Sequence, residues 1–581
     1  MNKAAIEHRP ESEYAYLYRK GEVHLRLKTG KEIQEVFLLW GDPYELDGEQ
    51  WLQEKRKMKL VAKTNEHFYW QVSVHPPYRR LKYAFEVCDE TECIFYGDRG
   101  IYPLKKEYYT IPNFYFSLPY LHEVDAYQAP VWVKETVWYQ IFPERFANGD
   151  SSNDPEGTLP WGSTAPTREN FFGGDLQGII DHLDDLEKLG VNGLYLCPIF
   201  CASSNHKYDT WNYFMIDPQF GTKEDLQRLV QEAHQRGMKV MLDAVFNHSG
   251  DQVAFWQEVQ HYGKDSLYYS WYHIEGEKPE YQVTENAEVG KNLNYDTFAF
   301  NPHMPKWNTA HPKVQEYLLQ AATYWIEEAD IDAWRLDVAN EVDHRFWRKF
   351  QEACVKEKKD IYLLGEIWHS AQPWLQGDQF HGTMNYAYCE SIVQYFVQKE
   401  IDEEQFISVL YQQLMLYQDE VNRYQLNLLD SHDTERILTQ MKGNVELLEK
   451  VFAFLFLQPG TPCLYYGTEI GMEGGPDPLN RACMNWDKST WNQSLWEKMH
   501  EMILWRKKYA MILSDGTIEF QYDKEREQIT VVRARNKEKI IGCFAQGKEG
   551  IVVEKDNKIA GEKRSDGTWD YILWQEKEKN R

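Results

Sequence analysis

The feature that most limits the fold of this chain is a repeated alternation of amphipathic segments and short apolar runs. In residues 222–248, Leu226, Leu229 and Ala233 share the spacing of one helix face, and an apolar run of strand length follows. Strands that alternate with helices form parallel sheets, and eight such units predict an α/β fold, the closed (β/α)8 TIM barrel. The predicted strands lie near residues 139–142, 192–196, 240–246, 331–336, 361–365, 380–385, 425–429 and 462–466.

Regions with other patterns flank and interrupt the predicted barrel. Residues 1–125 hold short runs of β-forming residues separated by turn clusters, which predicts an N-terminal β-sandwich. Short strand-like runs return near the end of the chain, so residues 511–581 are expected to form a C-terminal β-domain. Between the third and fourth strands, residues 249–311 are too many for a simple loop and predict a small inserted domain. The barrel then spans residues 126–510, including this insertion.

The charge balance argues against some classes of partner. The chain has 91 acidic and 64 basic residues, so its formal net charge is −27. Proteins that bind phosphate groups use basic residues to displace counterions, so we expect neither nucleic acid nor an anionic membrane as a partner. Aromatic residues make up 15% of the chain. They suit stacking on sugar rings, but they suit the core of a large protein equally well.

Cysteine usage and the first residues bear on the cellular compartment. There are nine cysteines, an odd number, with no CxxC pair and no zinc-like spacing of cysteine and histidine. We therefore expect buried free thiols in a reducing compartment. The first residues lack the apolar run of a signal peptide, and no window is long and apolar enough to span a membrane. Together these features predict a cytoplasmic protein.

Three carboxylates stand where predicted barrel strands end. Asp337 follows the fourth strand, Glu366 the fifth and Asp433 the seventh, and Arg335 precedes Asp337 by two residues. Because the C-terminal ends of the strands meet at one rim of such a barrel, these side chains should lie close together. Each alone could be an ordinary loop residue, but three at equivalent positions predict a catalytic group. Paired carboxylates cleave glycosidic bonds, one attacking the anomeric carbon and one protonating the leaving oxygen.

The two reacting carboxylates need different protonation states. A nucleophile must be ionised, and Arg335, on the same strand face as Asp337, is expected to keep it so. The acid needs a raised pKa, which neighbouring carboxylates favour.

Four segments at these strand ends resemble, in the same order, the sequence regions of glycoside hydrolase family 13, the α-amylase family. They are residues 243–248 (DAVFNH), 333–341 (AWRLDVANE), 365–369 (GEIWH) and 430–433 (DSHD). Residues 304–308 (MPKWN) resemble the fifth region of the neopullulanase, cyclomaltodextrinase and maltogenic amylase subgroup. The β-rich start of the chain also resembles the extra N-terminal domain of that subgroup.

The resemblance implies a role for each matched residue. Asp337 would be the nucleophile, Glu366 the general acid and base, and Asp433 the stabiliser of the transition state. Arg335 would orient the nucleophile, while Asp243 is expected to be structural. The residues implied to bind substrate are Arg335, His248, His432, His206, Tyr208 and Trp368.

Residues 148–154 and 173–175 are rich in small oxygen-bearing side chains. By themselves these residues suit either a solvated turn or a calcium ion. The subgroup binds calcium in this segment, so the resemblance implies a structural Ca²⁺ site. Its ligands would come from Asn148, Asp150, Asn153, Asp154, Gly173 and Asp175.

The resemblance implies a cytoplasmic retaining α-glycosidase that hydrolyses α-1,4 bonds in cyclodextrins and maltooligosaccharides, with pullulan and starch as further candidates. The resemblance also implies transfer of glycosyl units to sugars. It further implies a homodimer in which the N-terminal domain forms one side of the active site. Three alternatives stay open. They are an inactive amylase-like barrel that binds sugar or a protein, a metal-dependent hydrolase built on Asp243, His248 and His432, and a 1,6-cleaving or dedicated transglycosylating relative.

Overall fold

A barrel of eight parallel strands forms the centre of the molecule, as the sequence predicts. The computed structural model describes residues 1–48, 50–555 and 557–577. The barrel strands are β1 (Trp138–Ile141), β2 (Gly193–Leu196), β3 (Lys239–Ala244), β4 (Ala333–Leu336), β5 (Tyr362–Gly365), β6 (Gly382–Thr383), β7 (Leu426–Asn427) and β8 (Thr461–Tyr465). Neighbours run in the order β6-β5-β4-β3-β2-β1-β8-β7, and a parallel bridge between Met384 and Leu426 joins the two edges. The TIM-barrel prediction is therefore confirmed.

Helices connect most of the strands and cover the outside of the barrel. Helix Lys223–Gln235 begins at a capping box, in which the Thr222 hydroxyl accepts the Asp225 N–H and the Asp225 carboxylate accepts the Thr222 N–H. One repeat differs from the prediction, because residues 366–381, between β5 and β6, contain only the turn Gln372–Trp374. No helix in the described part of the chain combines the length and apolarity of a membrane span. The other helices around the barrel are Leu176–Asp181, Leu183–Leu189, Pro312–Ala329, His344–Glu357, Tyr386–Val393, Glu403–Met415, Ile437–Gln440, Val445–Phe456, Gln493–Lys508 and Ala510–Asp515.

The N-terminal residues form two antiparallel sheets that pack face to face, which confirms the predicted β-sandwich. Leu25 of one sheet and Leu38 and Phe85 of the other are fully buried in the core between them. The short helix Lys106–Thr110 lies near the end of this region. One sheet contains Ala15–Arg19, Glu22–Gly30, His67–Val74 and Lys59–Lys63, and the other contains Gly100–Pro103, Cys93–Gly97, Leu81–Cys88, Glu35–Gly41 and Glu54–Lys57, with Phe116–Leu118 paired to Leu81–Cys88.

The residues between β3 and β4 form a lobe with an aromatic core. Trp256, on helix Ala254–Tyr262, is fully buried and packs edge-on against Tyr272, with ring centroids 4.7 Å apart. The rest of the lobe contains isolated β-bridges rather than sheets. One bridge pairs His248, in the segment that follows β3, with Lys306 near the end of the lobe. An aromatic cluster of this kind stabilises a segment that has few regular elements.

A five-stranded antiparallel sheet follows the barrel, in agreement with the predicted C-terminal β-domain. Arg533 of this sheet is fully buried, and its guanidinium donates hydrogen bonds to the backbone carbonyls of Leu457 and Gly516. The exact domain boundaries given above remain predictions. The strands, in sheet order, are Thr517–Asp523, Gln528–Arg535, Glu538–Ala545, Trp569–Lys577 and Lys558–Lys563.

The prediction that the cysteines are buried free thiols is wrong for two of them. Cys88 and Cys93 face each other on neighbouring antiparallel strands and form a disulfide, because the strand register places their side chains opposite one another. Cys483 and Cys543 are free but only half-buried, and the other five cysteines are buried free thiols.

Candidate active site

Arg335, near the end of β4, is surrounded by four carboxylates at one rim of the barrel. The guanidinium is fully buried, and its Nη1 lies 2.7 Å from Asp337 Oδ1 and 3.0 Å from Asp243 Oδ1. Its Nη2 lies 2.9 Å from Glu366 Oε2 and 3.9 Å from Asp433 Oδ2. Asp243 comes from β3, whereas Glu366 and Asp433 follow β5 and β7. The structure therefore brings together the three carboxylates that the sequence singles out, although they are far apart along the chain.

Burial raises the pKa of three of these four carboxyl groups, namely Asp243, Asp337 and Asp433. Burial and the neighbouring Glu366 carboxylate raise the pKa of Asp337 well above its ordinary value, although Arg335 opposes the shift. Burial also raises the pKa of Asp243 to about 6 and raises the pKa of Asp433. The predicted ion pair between Arg335 and Asp337 is present, and the guanidinium opposes the rise in the pKa of Asp337 without cancelling it.

Two further donors hold Glu366. The Val338 N–H donates to Oε2 at 2.8 Å, and the Trp368 indole N–H donates to Oε1 at 3.0 Å. Val338 directly follows Asp337 and has a φ of 46°, a left-handed conformation that a β-branched residue rarely adopts. The Val338 N–H thereby links the residue next to Asp337 to Glu366, the other predicted reacting residue. Such strain persists only where the surrounding structure enforces it, and it is concentrated at functional sites.

Tyr208 and His432 form one side of the site. The Tyr208 hydroxyl donates to Asp243 Oδ2 at 3.0 Å, and its ring is parallel to that of His432 with centroids 5.4 Å apart. His432 Nε2 contacts the Tyr208 hydroxyl and lies 3.2 Å from Asp433 Oδ1. Tyr195 also donates to Asp243 Oδ2, at 3.1 Å. Asp243 thus accepts hydrogen bonds from two tyrosines and an arginine, as its expected structural role requires.

The other predicted substrate-binding residues lie next to this cluster. His248 is fully buried, and its Nε2 lies 3.2 Å from the Tyr208 carbonyl oxygen. His206 is half-buried, and its Nδ1 accepts the Tyr208 N–H at 3.1 Å. Trp368 is 46% exposed and stacks on Tyr386 with centroids 3.7 Å apart. Its exposed surface can stack against a sugar beside Glu366.

The histidines at this rim do not form a metal site. Both ring nitrogens of His432, and both of His248, already have hydrogen-bond partners within the protein. Among the residues that the structure describes, the one group of three histidine, cysteine, aspartate or glutamate side chains close enough to share a metal ion is Glu86, Cys88 and Cys93, in the N-terminal sandwich, and its two cysteines form the disulfide. The alternative of a metal-dependent hydrolase at the barrel rim therefore has no geometric support.

The predicted calcium ligands come together in the loop after β1. Asn148 Nδ2 donates to Asp154 Oδ1 at 2.8 Å. Gly173 lies so close to both that a Cβ at this position would collide with them. Asn153 Oδ1 is buried without a hydrogen-bond partner, so its lone pairs are available to a cation. The oxygens of Asn148, Asn153 and Asp154 therefore fit the oxygen-only ligand set that Ca²⁺ prefers.

The carboxylate oxygens of two other predicted calcium ligands, Asp175 and Asp150, accept several hydrogen bonds within the loop. The Asp175 carboxylate accepts the N–H groups of Gly149, Asp150 and Gly178, and it caps helix Leu176–Asp181. Asp150 accepts hydrogen bonds from Ser152, which lower the pKa of Asp150. Asp175 therefore shapes the loop, since four N–H donors, including Asn153 Nδ2 at 3.1 Å, already occupy its two oxygens.

Several residues at the rim were missed by the sequence analysis. Arg481 Nη2 lies 3.7 Å from Asp433 Oδ1, and Arg481 Nη1 lies 3.0 Å from Asp477 Oδ1. The Tyr386 hydroxyl lies 3.3 Å from Ser431 Oγ, which accepts the Asp433 N–H at 3.1 Å. These residues lie in the segments after β6, β7 and β8, and that position is the sequence signal that could have found them.

Comparison with known proteins shows the family to which the chain belongs. A family model described as the alpha amylase catalytic domain matches residues 140–512, and one described as the alpha amylase N-terminal ig-like domain matches residues 1–122. The chain is 47% identical over 568 residues to the intracellular maltogenic amylase of Bacillus subtilis, covering 96% of this chain and 95% of that protein. It is 40% identical over 536 residues to neopullulanase 2 of Thermoactinomyces vulgaris, covering 91% and 88%. Its structure matches that of a cyclomaltodextrinase with a TM-score of 0.90 and 41% identity, covering 99% and 98%. The chain therefore belongs to the α-amylase family, and it is a glycoside hydrolase of the maltogenic amylase, cyclomaltodextrinase and neopullulanase group.

Proposed function

We propose that the chain is a retaining α-glucan hydrolase in which Asp337 is the nucleophile and Glu366 is first the acid and then the base. The observation that carries this proposal is the contact of both carboxylates with the one buried guanidinium of Arg335. Retaining glycosidases require two carboxylates only about 5–5.5 Å apart, on opposite sides of the bond that breaks. Asp433, whose Oδ2 lies 3.9 Å from the same guanidinium, adds negative charge that stabilises an oxocarbenium-like transition state.

The proposed reaction has two displacements. In the first, the bond between the anomeric carbon and the glycosidic oxygen breaks, Asp337 forms an ester with that carbon, and the proton of Glu366 passes to the leaving oxygen. In the second, Glu366 takes a proton from water, whose oxygen attacks the anomeric carbon and releases Asp337. When a sugar hydroxyl replaces water, a new glycosidic bond forms instead, which is transglycosylation.

The mechanism requires that Asp337 be ionised and Glu366 protonated when the sugar is bound. Arg335 favours the anionic form of Asp337, and so does the positive charge that develops at the anomeric carbon. Burial raises the pKa values of Asp243 and Asp433 in the same cluster, which supports a site that keeps protons to a higher pH than exposed carboxylates would.

As substrates we propose cyclodextrins and maltooligosaccharides, cleaved at α-1,4 bonds, with pullulan and starch as further substrates. The names of the matched relatives, maltogenic amylase, cyclomaltodextrinase and neopullulanase, support this range. The half-exposed ring of Trp368 beside Glu366 also supports it, because it offers a stacking surface on the leaving-group side.

Product analysis on β-cyclodextrin, pullulan and starch, with the anomeric form of the first products read by NMR, tests the proposal. We expect maltooligosaccharides released as α-anomers. Release of β-anomers would contradict retention. Tight binding of β-cyclodextrin without cleavage would favour the inactive amylase-like alternative. Cleavage restricted to the 1,6 bonds of pullulan would favour the alternative of a 1,6-cleaving relative.

We also propose a structural calcium ion, a homodimer and a cytoplasmic location. The oxygens of Asn148, Asn153 and Asp154 would hold the calcium ion, whose charge would draw the loop after β1 together. Exposed tyrosines on the N-terminal sandwich support an interface there, since tyrosine is enriched in protein interfaces. Tyr44 is 75% exposed and Tyr78 52% exposed. The word intracellular in the name of the Bacillus relative supports the location.

A further inference from the structure

We propose that Tyr417 is a positioning residue for the general acid. Together with Glu13 of the N-terminal sandwich, it holds the loop after β5 and thereby sets the hydrogen bond between Trp368 and Glu366. This inference rests on the proposed function, because it assumes that Glu366 protonates the leaving group.

The loop after β5 has little structure of its own. Residues 366–381 contain only the turn Gln372–Trp374, whereas helices follow the other strands of the barrel. Trp368 lies in this loop and donates its indole N–H to Glu366 Oε1 at 3.0 Å. A displacement of the loop would therefore act directly on a hydrogen bond of the predicted acid.

Tyr417 connects this loop to the N-terminal sandwich. Its side chain is buried, and its hydroxyl accepts the N–H of Ala371, in the loop, at 3.2 Å. Its backbone carbonyl accepts a hydrogen bond from Arg26 Nη1 at 2.6 Å. Arg26 belongs to the sandwich, is fully buried and forms an ion pair with Asp419. A partly buried ion pair between sandwich and barrel thus holds the segment that carries Tyr417.

A second contact holds the next residue of the same loop. Gln372 Nε2 donates to Glu13 Oε2 at 2.8 Å. Glu13 lies in the sandwich and is buried, and its other oxygen accepts a hydrogen bond from Arg9 at 2.8 Å. Ala371 and Gln372 are therefore held from two directions, by the barrel through Tyr417 and by the sandwich through Glu13.

The chemistry of the leaving group separates a positioning role from a general structural one. General acid catalysis contributes about 10²–10⁴-fold to a rate, and a misplacement of about 1 Å can cost about 10²-fold. A sugar leaving group needs the proton of Glu366, whereas fluoride leaves with much less help. A loosened loop should therefore slow cleavage of a sugar-sugar bond more than cleavage of a glycosyl fluoride.

The test uses Tyr417→Phe, which removes only the hydroxyl that accepts the Ala371 N–H. The quantity measured is the ratio of kcat/KM for maltotriose to kcat/KM for α-maltosyl fluoride. We expect kcat/KM for maltotriose to fall about 10-fold, with a smaller loss for the fluoride. Tyr388→Phe is the matched control. It removes another buried hydroxyl, which donates to Gln458 at 2.7 Å, so its ratio should stay that of the wild type.

Gln372→Ala is a second variant, which removes the hydrogen bond from the half-buried Gln372 to Glu13. If Tyr417→Phe does not fold, the ratio measured in Gln372→Ala tests the inference by itself. A wild-type ratio in Gln372→Ala and in folded Tyr417→Phe would overturn the inference, and so would an equal change in Tyr388→Phe. A wild-type protein that cleaves neither substrate would instead refute the proposed function.

Discussion

At the scale of single residues, the proposed chemistry depends most on Asp337. Asp337→Asn keeps the shape of the side chain but replaces the anionic carboxylate with a neutral amide that is a poor nucleophile, so we expect kcat on β-cyclodextrin to fall by several orders of magnitude. The fold should survive, because the buried site already disfavours a negative charge at this position. Rates and urea unfolding of the variant and the wild type check both statements. Substantial residual activity in Asp337→Asn would contradict the assignment.

A second residue, Glu469, makes stability depend on pH. Burial raises its pKa from 4.5 to about 7, and it accepts a hydrogen bond from Tyr139 at 2.8 Å. Because the folded state holds this proton more tightly than the unfolded chain, the stabilisation is complete below pH 4.5 and is lost as pH rises to about 7. Relative to Glu469→Gln, which does not titrate, the wild type should lose about 3 kcal/mol of unfolding free energy across that window. Urea unfolding from pH 4.5 to 8 measures this, and parallel curves for the two proteins would contradict it.

At the scale of elements, the loop after β1 is the proposed calcium site. Calcium at about 100 times its Kd should stabilise the wild type by about 2.7 kcal/mol and raise its Tm. In Asp154→Ala this rise should disappear, because the variant removes a charged oxygen of the set. Asp487→Ala is the control, since Asp487 is likewise an aspartate that accepts hydrogen bonds within a turn, in its case from Ser489, but lies elsewhere in the chain. An equal calcium effect in Asp154→Ala, or none in the wild type, would refute the site.

At the scale of the whole molecule, the proposed homodimer can be tested by sedimentation velocity. We expect a dimer at micromolar concentration, held in part by the exposed tyrosines of the sandwich, because large exposed aromatic rings are commonly covered in an assembly. Tyr44→Ser should weaken association and leave the fold intact, since this side chain is 75% exposed. A monomer of the wild type at that concentration would contradict the proposal.

The sequence alone determined the barrel and the position of the proposed reacting residues at the ends of its strands. Parallel strands buried on both faces must be apolar, so polar residues such as Asp337 and Glu366 stand out where β4 and β5 end. Local rules also predicted the start of helix Lys223–Gln235, because the capping box of Thr222 and Asp225 involves residues only three apart. These features depend on short-range patterns, and the structure confirms them.

Only the tertiary structure decided which distant residues meet. The contact of Arg26 with Tyr417 joins residues 391 apart, and no periodicity along the chain encodes it. The disulfide between Cys88 and Cys93 depends on strand register, which the cysteine count does not reveal. The raised pKa of Asp337 likewise arises from burial and from the carboxylate of Glu366, which follows the neighbouring strand β5. In each case the energy comes from how elements pack against one another, and packing is set by the whole chain rather than by a local segment.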